Sequence, residues 1–149
     1  MSKRISFRGQ VPDGEQDRIK LSTIQGKVGY RIRKFQICGP NMGNVDDELT
    51  GKIYKKDQTG SISGSVNFTE SDLLAVAFYN DAASTAYGND QVIIFDNEVI
   101  NQDIFVYGVD NSGNTNQINY YIELEAMSIS DLEATMLTLR NLRTITSTM

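Results

Sequence analysis

The stretch Asn119-Tyr120-Tyr121-Ile122-Glu123-Leu124-Glu125-Ala126 decides the fold class. Tyr120, Ile122, Leu124 and Ala126 share one parity, and Tyr121, Glu123 and Glu125 share the other. Side chains alternate between the two faces of a strand, so the pattern predicts a strand with one face on a core and one in water. Val92-Ile93-Ile94-Phe95 and Ile104-Phe105-Val106-Tyr107, β-branched and aromatic, add two strands by composition. Val109 to Asn116 is rich in Asn, Asp and Gly, which tolerate positive φ, and predicts a hairpin loop between the last two strands.

The same texture of short apolar runs and polar turns extends back to Lys27. In Val28 to Cys38, Tyr30 and Ile32 fall on one parity and Phe35 and Ile37 on the other, so a bulge near Arg33-Lys34 would keep all four inward. Glu48 to Tyr54 sets Leu49, Gly51 and Ile53 against Thr50, Lys52 and Tyr54, which predicts a half-exposed strand. Lys55 to Ser61 reads as a polar turn, and Ser61 to Phe68 as weakly strand-like. Leu74 to Tyr79 fits a buried strand after a brief turn, although Thr69-Glu70-Ser71-Asp72 also resembles a helix N-cap. Asn80 to Asp90, with Tyr87, is a small-residue loop of a length that often carries function, hence a candidate contact surface.

The two ends depart from this texture. Residues 1–26 read as a basic, polar arm in which Ile5-Ser6-Phe7 could add a short strand, Val11-Pro12-Asp13-Gly14 makes a turn, and Pro12 confines any strand to an edge. Ser130-Asp131-Leu132-Glu133 matches a capping box, so a helix is expected over about 130–143. Leu132, Met136, Leu139 and Leu142 recur at helical spacing, and Arg140 and Arg143 sit where the helix dipole favours cations. That apolar stripe packs on its own sandwich or docks on another subunit. The expected fold is mainly β: a single antiparallel β-sandwich domain over 27–149, jelly-roll-like, with a flexible N-terminal arm over 1–26 and one short C-terminal α-helix.

Charge is divided unevenly. Residues 1–34 hold nine Lys or Arg, among them Lys3, Arg4 and Arg8, against three acids, a balance of +6. Residues 35–133 hold three Lys against sixteen acids, a balance of −13. Such asymmetry suggests that the arm meets nucleic acid or the acidic body of a neighbouring copy. Protein contact is favoured, because the arm has neither a run of five or six positive residues nor interleaved aromatics.

Composition excludes most enzymatic chemistry. With no His and one Cys, Ser-His-Asp and Cys-His machinery cannot be built, nor can a Cys-only metal site or an internal disulfide. Cys38 reads as a small apolar side chain at a strand end. Asp46-Asp47-Glu48 and Asp110 to Asn114 offer oxygen ligands of the kind calcium prefers, but neither fits the twelve-residue calcium loop, so both read as solvated turns. The pairs Glu123/Glu125 and Asp96/Glu98 admit a carboxylate hydrolase on spacing alone, without an aromatic cleft to support it. No catalytic residue, cofactor or metal site is therefore expected. No stretch approaches the roughly 20 apolar residues of a membrane span, and Met1-Ser2-Lys3-Arg4 is not followed by an apolar signal run, so a soluble protein without membrane contact is expected.

The turns rich in Asn, Ser, Thr and Gly, the lack of His and Trp, and the basic arm on an acidic body accompany phrases such as Asp96-Asn97-Glu98-Val99-Ile100-Asn101-Gln102-Asp103-Ile104 and Asn119 to Glu125. In these features residues 27–127 resemble small virion structural proteins, both single jelly-roll coat proteins and capsid-decoration proteins. The resemblance implies a non-enzymatic subunit located in a virion, whose partners are other copies of itself and another virion protein. Its interface candidates are Lys3, Arg4, Arg8, Tyr87, Leu132, Met136, Leu139, Arg140 and Arg143. The alternative is a β-sandwich recognition module that binds a carbohydrate or host surface through loops 80–90 and 110–117, with Tyr87 as the ring to present.

Overall fold

The computed structural model describes residues 3–23, 26–40, 47–58, 64–81, 89–95, 98–130 and 133–140. It contains strands β1 (Lys3–Val11), β2 (Glu15–Ile19), β3 (Val28–Cys38), β4 (Asp47–Tyr54), β5 (Leu73–Asp81), β6 (Asn89–Ile94), β7 (Ile104–Asp110) and β8 (Ile118–Ser128). A helix, α1, covers residues 133–140. The strands form two antiparallel sheets, one of three strands in the order β1-β8-β3 and one of five in the order β2-β7-β4-β5-β6. The expected mainly β, sandwich-like fold with a short C-terminal helix is the fold observed.

β8 lies at the centre of the smaller sheet and follows the predicted alternation. Ile118, Tyr120, Ile122 and Leu124 are buried, and the residues between them are partly exposed. β3 meets β8 with a register shift between Ile32 and Lys34, where the parity argument requires a bulge, and Ile32, Phe35 and Ile37 all reach the core. These residues pack with Leu49 and Ile53 of β4, Ala75 and Ala77 of β5, and Ile104 and Val106 of β7 in one cluster. Each large member stabilises the fold by roughly 1.5–3 kcal/mol through apolar burial. Gly51 lets the layers close, since a Cβ there would stand 2.8 Å from Ile37 Cγ2.

Residues 3–19 are not an arm apart from the sandwich. β1 pairs with β8 along all nine of its residues, and β2 pairs with β7. Val11, Ile19 and Leu21 are core residues. The charge of this segment concealed its alternation: Ile5 and Phe7 lean on the core while Arg4, Ser6, Arg8 and Gln10 face solvent. The predicted turn stands, with Glu15 N–H donating to Pro12 O at 3.1 Å and Gly14 at φ 78°, and β1 is an edge strand.

Two further expectations change. β7 and β8 belong to different sheets, so Asp110 to Asn116 crosses between layers rather than closing a hairpin. Its local chemistry is as expected, with Gly113 at φ 89° and Thr115 at φ 54°. β4 is buried on both faces, because the chain after it folds across its outer side. Tyr54, Leu73, Val76 and Tyr107 make a second apolar cluster there, with Val66 and Phe95 packed against it. Lys52 Nζ donates to Ser65 O beneath this cover, and Tyr107 Oη donates to Gln58 O at 3.3 Å. Residues 64–68 contain no strand, and β5 follows a turn, as the preferred reading of 69–79 has it.

Candidate interaction surface

The outer face of the three-stranded sheet is a lattice of charge set by strand register. Its rows run Arg4, Glu125, Arg31; Ser6, Glu123, Lys34; Arg8, Tyr121, Gln36; and Gln10, Asn119, Cys38. Arg33, at the bulge, donates to Glu125 Oε1 at 2.8 Å. Lys34 Nζ stands 4.0 Å from Glu123 Oε2 and 5.8 Å from the centre of the Tyr121 ring. The hydrogen bond from Arg33, with the charges of Arg33, Arg4 and Arg31, holds the Glu125 carboxyl below its usual range. Part of the complementarity between the basic N-terminal segment and the acidic remainder is thus met inside the chain. Five cations still face two carboxylates on this surface.

Of the candidate residues, Lys3, Arg4 and Arg8 are exposed on β1. Tyr87, Leu132 and Arg143 lie outside the described residues, as do residues 82–88 of the loop around Tyr87.

The C-terminal helix adds an apolar element at one end of the same sheet. Its capping box forms as predicted: Glu133 N–H donates to Ser130 Oγ and Ser130 N–H to Glu133 Oε2, both at 3.2 Å. Asn101 Nδ2 fastens the helix to the body, lying 3.1 Å from Gly26 O, 3.3 Å from Ala134 O and 3.2 Å from Thr138 Oγ1. Ala134 is buried, whereas Met136 is 60% and Leu139 54% exposed. The face that docks is thus the one carrying Ala134 and Thr138, and the described part of the predicted Leu/Met stripe is left uncovered. Met136, Leu139 and Arg140 line a groove of about 830 Å³ together with Arg31, Val99, Met127 and Ile129.

The acidic clusters serve the loops. Asp110 Oδ1 accepts from Ser112 N–H at 2.9 Å, and its Oδ2 accepts from Asn116 N–H at 2.8 Å. Burial alone would raise the Asp110 pKa, but these hydrogen bonds bring it below the ordinary value. Asn116 Nδ2 donates to Asp47 Oδ1 at 2.6 Å, so the two regions weighed as calcium ligands are joined through an amide. Among the described residues, no group of three or more His, Cys, Asp or Glu side chains is placed to hold a metal ion. Glu98 pairs with buried Lys55 at 2.6 Å, while Glu123 and Glu125 face Lys34 and Arg33. Cys38 ends β3, half-buried.

Two polar anchors escaped the sequence reading, Asn101 and Asp103. They sit in a short polar link between apolar runs, where nothing in composition separates a buried anchor from a solvated turn. Asp103 Oδ1 accepts the N–H groups of Leu21 and Ser22 at 2.8 and 2.9 Å, and its Oδ2 accepts Arg18 Nε at 2.7 Å. Burial opposes ionisation, but the hydrogen bonds from Ser22, Arg18 and Leu21 win and hold its pKa down at about 2.

No protein-family model matches the chain, and no curated protein matches it.

Proposed function

We propose that the chain is a non-enzymatic structural protein of a virion, a coat or shell-associated subunit that acts by self-assembly or by docking on another shell protein. The observation that carries this reading is the winding of the strands. The pairings β1 with β8, β2 with β7 and β4 with β5 nest inside one another, as in a long hairpin folded back and rolled up. A jelly roll is wound in this way, and viral capsid domains are among the proteins that use it. β6 departs from the scheme by pairing with β5 instead of β3.

The surface agrees with a role in association. Met136 and Leu139 stay exposed beside a partly apolar groove, and the adjoining sheet face is charged. Nucleic acid is the weaker partner, because Glu123 and Glu125 stand in the middle of the cationic face. The recognition alternative gains nothing from residues 110–117, since Asp110 and Asn116 are engaged within the fold. Negative-stain imaging of the purified protein tests the proposal. Ordered assemblies of repeated subunits are expected, and isolated single-chain particles under every buffer tried would overturn it.

A further inference from the structure

We infer that two copies of this chain pair edge to edge through β1, antiparallel about a two-fold axis at Phe7, to make one continuous six-stranded sheet. The inference rests on the self-associating reading above and names its interface. β1 is the outer strand of the smaller sheet and keeps an unbroken register with β8 over nine residues. Among the described residues, no backbone hydrogen bond reaches its far side, so alternate N–H and C=O groups there are left to water or to another strand. The opposite edge of the same sheet is bulged, and it is bridged where Tyr30 and Ile100 exchange bonds of 2.7 and 2.8 Å. β1 carries neither protection.

Directly opposed residues of antiparallel strands lie on the same face, so a strand pairing with its own copy must place the axis on a residue. The axis at Phe7 uses all nine residues and opposes Lys3 to Val11, Arg4 to Gln10, Ile5 to Gly9 and Ser6 to Arg8. Moving it to Ser6 would set Arg4 against Arg8, and moving it to Arg8 would set that arginine against itself. Like charges directly opposed are destabilising, so the full-length register is also the electrostatically favoured one.

In that register Arg8 of one copy lies in line with Ser6 and Glu123 of the other, because Ser6 pairs with Glu123. The small Ser6 side chain leaves Arg8 free to reach the carboxylate two strands away, roughly 10 Å from backbone to backbone. Among the described residues, Glu123 has one ion pair, with Lys34 at 4.0 Å. On the inner side, half-exposed Ile5 and Phe7 would gain cover from the same residues of the second copy.

The test is disulfide trapping with Cys38→Ser in every chain. Ser6→Cys and Arg8→Cys chains, altered at exposed positions, are mixed and oxidised. A mixed 6–8 disulfide is expected in several-fold excess over 6–6 or 8–8 dimers. In sedimentation, Arg8→Glu should raise the dimer dissociation constant roughly tenfold through loss of two symmetric contacts and new repulsion. Chains that self-associate without the mixed disulfide would overturn the β1 interface and leave the structural-subunit reading standing. Chains that stay monomeric at every concentration would overturn both.

Discussion

Replacing Asp103 tests whether the N-terminal strands are integral to the sandwich, because this carboxylate ties the chain after β2 to the start of β7. In Asp103→Ala the Leu21 N–H loses its acceptor in a buried site, at a cost of about 1–3 kcal/mol. Arg18 has a side chain 59% exposed and returns to water, so its pair at 2.5 Å adds less than about 1 kcal/mol. The sum, roughly 1–4 kcal/mol, should lower Tm by about 3–12 °C in a domain of this size. The pH dependence supplies a second signature. A folded pKa near 2, against roughly 3.9 unfolded, contributes roughly 2–3 kcal/mol that is fully present above the unfolded value and lost as pH falls through the folded one. Urea melts followed by circular dichroism should therefore show the parent protein weakening from about pH 5 down to pH 2, and Asp103→Asn losing less over the same range. Equal midpoints at pH 7, or equal acid slopes, would refute the anchoring role.

Three further outcomes are expected. Gly9→Val should cost about 1–3 kcal/mol in chemical melts, because even its Cβ would stand 2.7 Å from Tyr120 Oη, the hydroxyl that donates to Asp17 Oδ2 at 3.0 Å. Ser130→Ala should weaken helix α1 by about 1 kcal/mol, seen as faster amide exchange over residues 133–140 with little change in the global midpoint. Leu139→Glu should leave Tm within about 1 °C, since the side chain is exposed, yet reduce any self-association measured by light scattering.

Local structure was largely legible in the sequence, and partnership between strands was not. The alternation in β8, the parity break at Arg33-Lys34 and the capping box at Ser130 are each set by residues close in the chain, and each appears in the fold. Strand pairing depends on distant residues. Nothing near Val109 to Asn116 says whether the chain returns along its own sheet or crosses to the other. The burial of Thr50, Lys52 and Tyr54 depends in the same way on a cover supplied from beyond residue 54. In β1, three cations among nine residues suggested a solvated arm, although Glu123 and Glu125 wait in the neighbouring strand to receive them. At the helix the spacing of Met136 and Leu139 was correct, but the docking face is made by Ala134 and Thr138, reached by the buried amide of Asn101.

Light scattering of the purified chain, over a range of concentrations at low and high salt, tests association most directly. A mass that rises above 16.6 kDa with concentration and responds to salt through the charged sheet face is expected. A mass fixed at one chain under every condition would contradict self-association.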